Sequence, residues 1–442
     1  MYTPDPHDTR APVRRSPYGA NPALGRHGNR ARQEVLDSAR RLFAEHGYHA
    51  TTVEAIGEAS GRSGASVYQY FASKGAIFRV LIDELSDDVL KRARELGSPP
   101  FPERGPDAWP EAEARIGRLA EVLSRHSTTF SLWAVAEQSD PALRGLAVQF
   151  MEDFAEAVRP GLENVGIAEL RQRSLGIAIG SMIQWSHFTR AERAPHLGRD
   201  VLDHVLTMVL HRALAPARMV GEAPEHPPLQ VDRPLGARRP ADPSSVPGVR
   251  RPVTDRSRAT VDKILAAATT VLSRNGFYGT SINDIATEAG VSHGSVYTYW
   301  TDRSSLFSTL AHQAAVALGD HIEAATTGFT GVEQACRWLD SWLELVCQHG
   351  AVLHIWTHEV RADPALGPLA RDMQVYVAAF MDVQLRSGRD VGDLDLKAAH
   401  VVMWALLTDF PYMHHVQLGT LTRAQVLDVL SGLLIRGLFG LR

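Results

Sequence analysis

The sequence is poor in the features that mark secreted and membrane proteins. It has two cysteines in 442 residues, Cys336 and Cys347. On one helix they would lie about 16 Å apart, too far for a disulfide, so we expect reduced, buried thiols in a cytoplasmic protein. Purely apolar or glycine stretches such as LGIAIG at 175–180 are much shorter than the roughly 20 residues of a membrane-spanning helix. The N-terminus also lacks the apolar core of a secretory signal.

Signatures of enzymes are missing as well. The sequence contains no glycine-rich phosphate loop after a strand, no G-x-S-x-G motif and no paired carboxylates on a strand scaffold. It also has no convincing run of alternating apolar and polar residues, the pattern of a half-buried strand. His354 and His358 have the i, i+4 spacing of metal ligands, but no third ligand can be placed beside them. We therefore expect an all-α protein that is not an enzyme and that has no cofactor and no metal site.

An internal repeat organises the chain. Shifting the sequence by 229 positions aligns residues 47–78 with residues 276–307 without a gap, and ten of the 32 pairs are identical. SGASVYQYF at 63–71 becomes SHGSVYTYW at 292–300 in the second copy. Because only two copies occur, the pattern indicates fused domains rather than a solenoid.

Two segments of different composition separate and precede the copies. Residues 215–252 contain nine prolines and few bulky apolar side chains, which is typical of an extended linker. The start of the chain has the same character. The predicted division is a disordered tail at 1–28, a small domain at 29–78, a helical body at 79–214, a linker at 215–255, a second small domain at 256–308 and a second body at 309–442.

Local signals place several short helices in each small domain, which we call a head. Apolar spacing predicts a first helix that stops at Gly47, and Thr51 with Glu54 reads as a capping box that opens a second helix. Gly61 and Gly290 then break the second helices. Ser63 and Ser292 are predicted caps of a third helix, and Ser73 and Asp302 are predicted caps of a long fourth one.

The second and third helices of each head fit a helix-turn-helix, in which the third helix enters the major groove of DNA. Small residues at its start allow the backbone to approach base edges, and its tyrosines can reach phosphate, sugar or a thymine methyl group. Lys74 and Arg303 begin the fourth helices, where a cation opposes the helix dipole and a phosphate partner would explain it.

The segments TTVEAIGEASGRSGASVYQYFASKGAIF and TSINDIATEAGVSHGSVYTYWTDRSSLF resemble the DNA-binding domain of the TetR/AcrR family of bacterial transcriptional regulators. The resemblance covers about 50 residues of each copy and implies about nine helices per unit, with operator binding controlled by an effector. It places Thr52 and Ser281 at a phosphate contact before the second helix, and Lys74 and Arg303 at a phosphate contact before the fourth. The implied reading or backbone contacts are Gly64, Ala65, Tyr68, Gln69 and Tyr70 in the first head and His293, Gly294, Tyr297, Thr298 and Tyr299 in the second. Arg62 departs from the family pattern, and it is either an extra DNA contact or a solvated side chain.

The charge distribution agrees with this interpretation. Residues 26–80 carry eight Lys or Arg and five Asp or Glu, and residues 250–310 carry seven and five. The rest of the chain is acidic, so only the heads suit DNA. Arg30, Arg32, Arg256 and Arg258 are either DNA-binding arms or solvated residues.

Both bodies contain aromatic residues and methionines at helical spacing, which usually form a core but can also line an apolar pocket. The predicted pocket residues are Trp133, Phe154, Met182, Trp185, Trp342, Trp356, Tyr376, Phe380, Met403 and Trp404. The second body is the stronger candidate because it is richer in tryptophan and histidine.

We expect the last two helices of each body, at 172–190 and 198–213 and at 395–413 and 422–437, to pair inside one chain. The resulting hypothesis is a repressor that binds double-stranded operator DNA in the nucleoid as a pseudo-dimer with two unlike heads. A small apolar effector would release it. Two alternatives stay open: a homodimer with four heads, and a ligand-binding or protein-interaction module that does not bind an operator.

Overall fold

The computed structural model describes residues 26–98, 109–139, 141–214, 248–250, 252–277, 279–325, 328–358, 367–387 and 394–441. The predicted tail and linker lie mostly outside these ranges. In the described residues the fold is helical, apart from an isolated antiparallel bridge between Val249 and Trp300. The predicted all-α class is therefore confirmed.

Nine helices precede residue 215 in the described part of the chain. The first head contains α1 (Arg26–Ala50), α2 (Val53–Ala59), α3 (Gly64–Val67) and the start of α4 (Lys74–Gly97). The helices that follow are α5 (Trp109–Arg125), α6 (Ser127–Ser139), α7 (Pro141–Asn164), α8 (Glu169–Arg193) and α9 (Arg199–Leu214). Helix α1 begins inside the predicted tail, three residues before the predicted head.

The second copy has a similar order, with eight helices among the described residues. Its head contains α10 (Asp255–Asn275), α11 (Ile282–Ala289), α12 (His293–Tyr297) and the start of α13 (Arg303–Glu323), and α14 (Val332–His358) and α15 (Gly367–Ser387) follow. Helix α16 (Leu396–Trp404) continues through π-helical turns at Ala405–Asp409 and Tyr412–Gln417, and α17 (Arg423–Leu430) continues through Ser431–Leu438. The first of these two helices therefore extends four residues beyond its predicted end at 413, and both are less regular than the apolar spacing predicts.

Most of the predicted caps are present. The side chains of Ser63, Ser292 and Asp302 accept hydrogen bonds from backbone N–H groups of the helices that they begin, and Gly61 and Gly290 have positive φ angles. The predicted capping box at Thr51 is wrong by one residue. Thr52 is the cap and accepts from the Ala55 N–H, whereas the Thr51 hydroxyl is buried and donates to the carbonyls of Leu42 and Gly47.

The described residues fall into two compact units. One holds residues up to Asp87 together with His126–Ala136, and the other holds Asp88–Arg125 and the chain from Glu137 onward. In the first unit Phe43, Tyr48 and Phe78 pack ring against ring in the core of the head. In the second unit Phe277 and Phe307 form the equivalent contact.

Inside the second unit, the last two helices of each copy pack together. Helices α8 and α9 contact α16, α17 and the π-helical segments that continue them; we call this interface the seam. At its centre the fully buried His414 contacts the Ser181 hydroxyl through Nε2 at 2.5 Å and the Thr420 hydroxyl through Nδ1 at 2.9 Å. Burial lowers the pKa of His414 to about 3, so its imidazole is neutral near pH 7.

At the rim of the seam, charged side chains join the two copies. The Arg171 guanidinium donates to Asp428 at 2.7 Å, and the Arg173 guanidinium donates to the backbone carbonyl of Thr420 at 3.1 Å. These rim contacts are exposed and contribute little free energy each. The apolar helix faces and the buried His414 contacts carry the pairing.

Candidate nucleic-acid interface

The two short helices α3 and α12 present similar exposed faces. In the first head Ala65, Tyr68 and Gln69 are exposed, and 40% of the Tyr68 surface is accessible. In the second head His293, Gly294, Tyr297 and Thr298 are exposed, and 44% of the Tyr297 surface is accessible. Gly64, Tyr70 and Tyr299 are partly buried beside these faces. Exposed tyrosines on a short helix suit a DNA-reading surface, because tyrosine hydroxyls and rings can contact phosphate and sugar.

Each exposed face is supported by a buried residue from the same helix. Val67 and Val296 are completely buried, and the residues that end the stretches 63–71 and 292–300, Phe71 and Trp300, are also buried. The Trp300 indole N–H donates to the Thr309 hydroxyl at 2.9 Å, which anchors it to α13. The helices are therefore fixed by one side while the opposite side stays open.

The two faces differ in hydrogen-bonding capacity. The Thr298 hydroxyl donates to the Gly294 carbonyl at 3.1 Å, so its donor is used inside the helix and its methyl group remains for apolar contact. The side-chain amide of Gln69 has no hydrogen bond among the described residues. His293 adds a ring beside Tyr297, with the centroids 4.8 Å apart, where the first head has Gly64.

The cations at the start of the fourth helices have partners within their own heads. Lys74 Nζ donates to the Tyr48 carbonyl at 2.6 Å and lies 4.4 Å from the centroid of the Tyr48 ring. Arg303 donates to the Thr280 carbonyl at 2.8 Å and lies 4.6 Å from the Phe277 ring centroid. Burial lowers the pKa of Lys74. The repeated contact joins the start of the fourth helix to residues at or just after the end of the first helix. Sequence reasoning missed this role, although an aromatic residue occupies both positions, Tyr48 and Phe277.

Other basic residues also differ from their predicted surroundings. Arg62 is half-buried and pairs with Glu34 at 2.5 Å, so it is not simply solvated. The four predicted arm arginines lie on helices: Arg30 pairs with Glu34 on α1, and Arg32 lies 5.2 Å from the Phe71 ring centroid. Arg258 pairs with Asp255 on α10, which also carries Arg256.

Ser281 and Thr52 occupy equivalent caps. Ser281 forms a full capping box with Asp284, whose carboxylate accepts from the Ser281 N–H and hydroxyl, and these bonds lower the pKa of Asp284. Thr52 lacks an acidic partner at that position because Ala55 stands there. An ionised carboxylate beside the cap opposes a phosphate contact, so the Thr52 cap is the less hindered of the two.

The predicted pocket residues do not share one site. Trp133 is buried against Phe130 in the first unit. Phe154, Met182 and Trp185 are buried in the first body. In the second body the Tyr376 hydroxyl donates to Glu323, and Phe380 stacks on Trp338. Met403 is buried on α16. Helical spacing in the sequence places such residues on a buried helix face, but it does not show which buried faces surround a cavity.

Three of them, Trp342, Trp356 and Trp404, line one apolar cavity of about 30 Å³ in the second body, which is room for about one water molecule. The Trp342 indole N–H donates to the Leu407 carbonyl at 2.7 Å. The buried Trp404 indole N–H has no acceptor among the described residues. The remaining lining residues are Leu318, Leu353, Ala370, Met373, Val377, Met381, Leu407 and Thr408.

The wall of this cavity is contacted from the first copy. The Arg193 guanidinium, at the end of α8, lies 4.5 Å from the centroid of the Trp404 ring. Trp185 on the same helix meets the ring of His354 at 6.2 Å. A displacement of Trp404 would therefore change its contact with Arg193 on α8.

Several further expectations can be compared with the described residues. They contain no cluster of three potential metal-ligating side chains, and His354 lies instead 3.7 Å from Asp409 and stacks on Tyr412. No helix among them has the length and apolarity needed to span a bilayer. The expectation that both thiols are buried is wrong, because Cys347 is exposed and Cys336 partly buried.

Comparison with known proteins identifies the repeated heads. The family model "Bacterial regulatory proteins, tetR family" matches residues 35–81 and 264–310. The HTH-type transcriptional repressor KstR2 of Rhodococcus jostii is 37% identical over 155 residues, which are 34% of this chain and 72% of that repressor.

Two further similarities cover a shorter segment or have a lower identity. The HTH-type transcriptional repressor AcnR of Corynebacterium efficiens is 42% identical over 67 residues, 15% of this chain and 36% of the repressor. The chain thus spans about a third of the length of that relative. A solved structure of the fatty acid degradation regulator FadR from Bacillus halodurans is 18% identical with a TM-score of 0.33, covering 42% of this chain and 96% of that one. With one model matched twice and most of a related repressor covered, the chain belongs to the tetR family of bacterial regulatory proteins and carries the family's N-terminal domain in tandem.

Proposed function

We propose that the protein is a sequence-specific transcriptional repressor of the cytoplasm that binds double-stranded operator DNA with two unlike heads. The observation that carries this proposal is the pair of short helices α3 and α12, each with a capped N-terminus, small residues at its start and one exposed tyrosine at its C-terminal end, Tyr68 or Tyr297. KstR2 and AcnR are described as repressors, which supports repression. Blocking a promoter by occupying it requires no additional surface.

The operator should have two different halves. Gln69 can form two hydrogen bonds with adenine, whereas Thr298 offers a methyl group suited to a thymine methyl. His293 replaces Gly64 at the helix start and adds a side chain where the first head has none. The two heads would therefore prefer different bases at equivalent positions.

The two copies would act as an intramolecular pseudo-dimer. Support comes from the seam, in which Ser181 of the first copy contacts His414 of the second and Arg171 contacts Asp428. The apolar helix faces in the seam are the kind of surface that a family dimer buries. A homodimer with four heads remains the competing assembly.

The effector would be a small, uncharged, apolar molecule with one hydrogen-bond acceptor. The tryptophan-lined cavity offers an apolar surface, and the Trp404 N–H is the donor that lacks an acceptor among the described residues. Because the cavity has room for about one water, binding would have to enlarge it. Displacement of Trp404 would then reach α8 through the Arg193 contact.

Selection of binding sites from a random duplex library tests the DNA proposal. The full chain should enrich a motif with two unlike halves, and Gln69→Thr should change one half only, with about a tenfold loss for the original base at that position. The reciprocal Thr298→Gln variant is the matched control and should change the other half. A palindromic motif, or equal changes in both halves, would contradict the unlike-heads assignment. Failure to enrich any sequence would favour a module that does not bind an operator.

A further inference from the structure

The end of the linker is bound to the second head beside its DNA-reading helix. The Arg250 N–H donates to the Tyr299 carbonyl at 2.8 Å, and the Thr301 N–H donates to the Gly248 carbonyl at 3.1 Å. These two bonds flank the antiparallel bridge between Val249 and Trp300. Because Trp300 is buried and hydrogen-bonded to Thr309, the linker end is fixed to a rigid part of the head.

The bridge needs glycine at position 248. Gly248 has φ +78°, and a Cβ atom there would lie 2.5 Å from the Thr301 Oγ1 atom. A side chain would therefore be strained by the backbone and would also meet the residue that the bridge must contact. Any larger residue at 248 should release the linker end while leaving α10–α13 in place.

The bridge determines where the Arg250 side chain points. Side chains alternate along an extended segment, and the half-buried Val249 separates the exposed Gly248 and Arg250. Arg250 is thus held at the surface next to Tyr299, which follows directly after the C-cap of α12. Among the described residues, no carboxylate pairs with its guanidinium.

The cation expected to bind phosphate in this head is already engaged. Arg303 is half-buried, donates to the Thr280 carbonyl and lies over the Phe277 ring. Arg250 is therefore the cation beside α12 whose guanidinium has its donors available to a phosphate. At the repeat offset of 229 the first copy has Asn21, an uncharged residue.

We propose that Arg250 contacts the DNA backbone in the second head, held beside α12 by the bridge that Gly248 permits. This inference rests on the proposed DNA-binding function and extends it to the linker. The partner is the phosphate backbone of duplex DNA, so the contact is independent of base sequence. It gives the second head an anchor whose counterpart in the first head is uncharged.

The salt dependence of binding to a mixed-sequence duplex of about 40 bp, roughly four helical turns, tests this contact in the full chain. Arg250→Ala should weaken binding and reduce the slope of log K against log salt by about 0.9, the value for one phosphate contact. Arg250→Lys should keep the wild-type slope. Arg337→Ala removes the same charge from an exposed position on α14 and should leave the slope unchanged.

Gly248→Ala tests the positioning because it keeps the arginine. It should lower the slope as Arg250→Ala does, and the double variant should lose no more than either single variant. An unchanged slope for Arg250→Ala overturns the contact, and an unchanged slope for Gly248→Ala overturns the role of the bridge. If the wild-type chain binds no duplex at any salt concentration, the proposed function fails together with this inference. If it binds and the variants match it, only the inference fails.

Discussion

At the scale of single residues, two indole N–H groups of the second body differ in whether they have a hydrogen-bond acceptor. The Trp342 N–H donates to the Leu407 carbonyl, whereas the buried N–H of Trp404 has no acceptor among the described residues. A buried donor without an acceptor costs about 1–3 kcal/mol. A ligand that supplies the acceptor would recover part of that cost, so under the proposed function Trp404 would help to determine which effector binds.

Two small probes of nearly equal shape test this role. Acetophenone carries a carbonyl where isopropenylbenzene carries a methylene group, so only the first can accept from Trp404. We expect acetophenone to raise the melting temperature more, and the difference to disappear in Trp404→Phe. Thermal denaturation with each probe measures it. Trp342→Phe is the control and should keep the difference, because the Trp342 N–H already has a partner. If acetophenone still raises the melting temperature more in Trp404→Phe, the Trp404 N–H does not bind the carbonyl.

At the scale of helices, the seam depends on a close approach at Gly437. A Cβ atom at this position would lie 2.7 Å from the Val209 carbonyl oxygen and 3.0 Å from Val209 Cγ1. Helix α9 and the last helical segment therefore pack backbone to backbone there. Gly432, five residues earlier in the same segment, would meet only the Arg436 side chain, at 3.4 Å.

The two glycines make a matched pair of variants. Gly437→Ala should lower the free energy of unfolding by about 1–3 kcal/mol, because the backbone must shift to admit the methyl group. Gly432→Ala should be neutral or stabilising by up to about 1 kcal/mol, because alanine is the better helix former. Chemical denaturation of the full chain measures both. Equal effects would show that the seam has no close contact at Gly437.

The helices also show which features of the fold could be predicted from the sequence. Ser63, Ser292 and Asp302 were identifiable as caps because each precedes a helical pattern with a turn signal before it. Thr51 and Thr52 are both good caps, so the choice between them depends on which hydroxyl is covered by α1, and only the fold determines that. Hydrophobicity predicts that Trp342, Trp356 and Trp404 lie in the interior, whereas the cavity that they line depends on how α13–α16 are placed. The linker bridge has no signature in its sequence beyond one glycine.

For the whole molecule, the tandem arrangement predicts a definite size in solution. If the seam satisfies the dimerisation surface within one chain, the protein should have the mass of one chain, 48.4 kDa. Multi-angle light scattering of the full chain at micromolar concentration measures it. A mass near twice that value would favour the homodimer with four heads. The seam would then join copies within each chain, and another surface would join the chains.

The contact between Ser181 and His414 has a consequence for how such a protein can change. In a symmetric dimer every substitution occurs twice, so one change at the interface alters two equivalent contacts. Here the two copies have separate codons, so the serine or the histidine can be altered without changing the equivalent position of the other copy. The same freedom extends to α3 and α12, so under the proposed function one half of a DNA target could change while the other half still bound the protein.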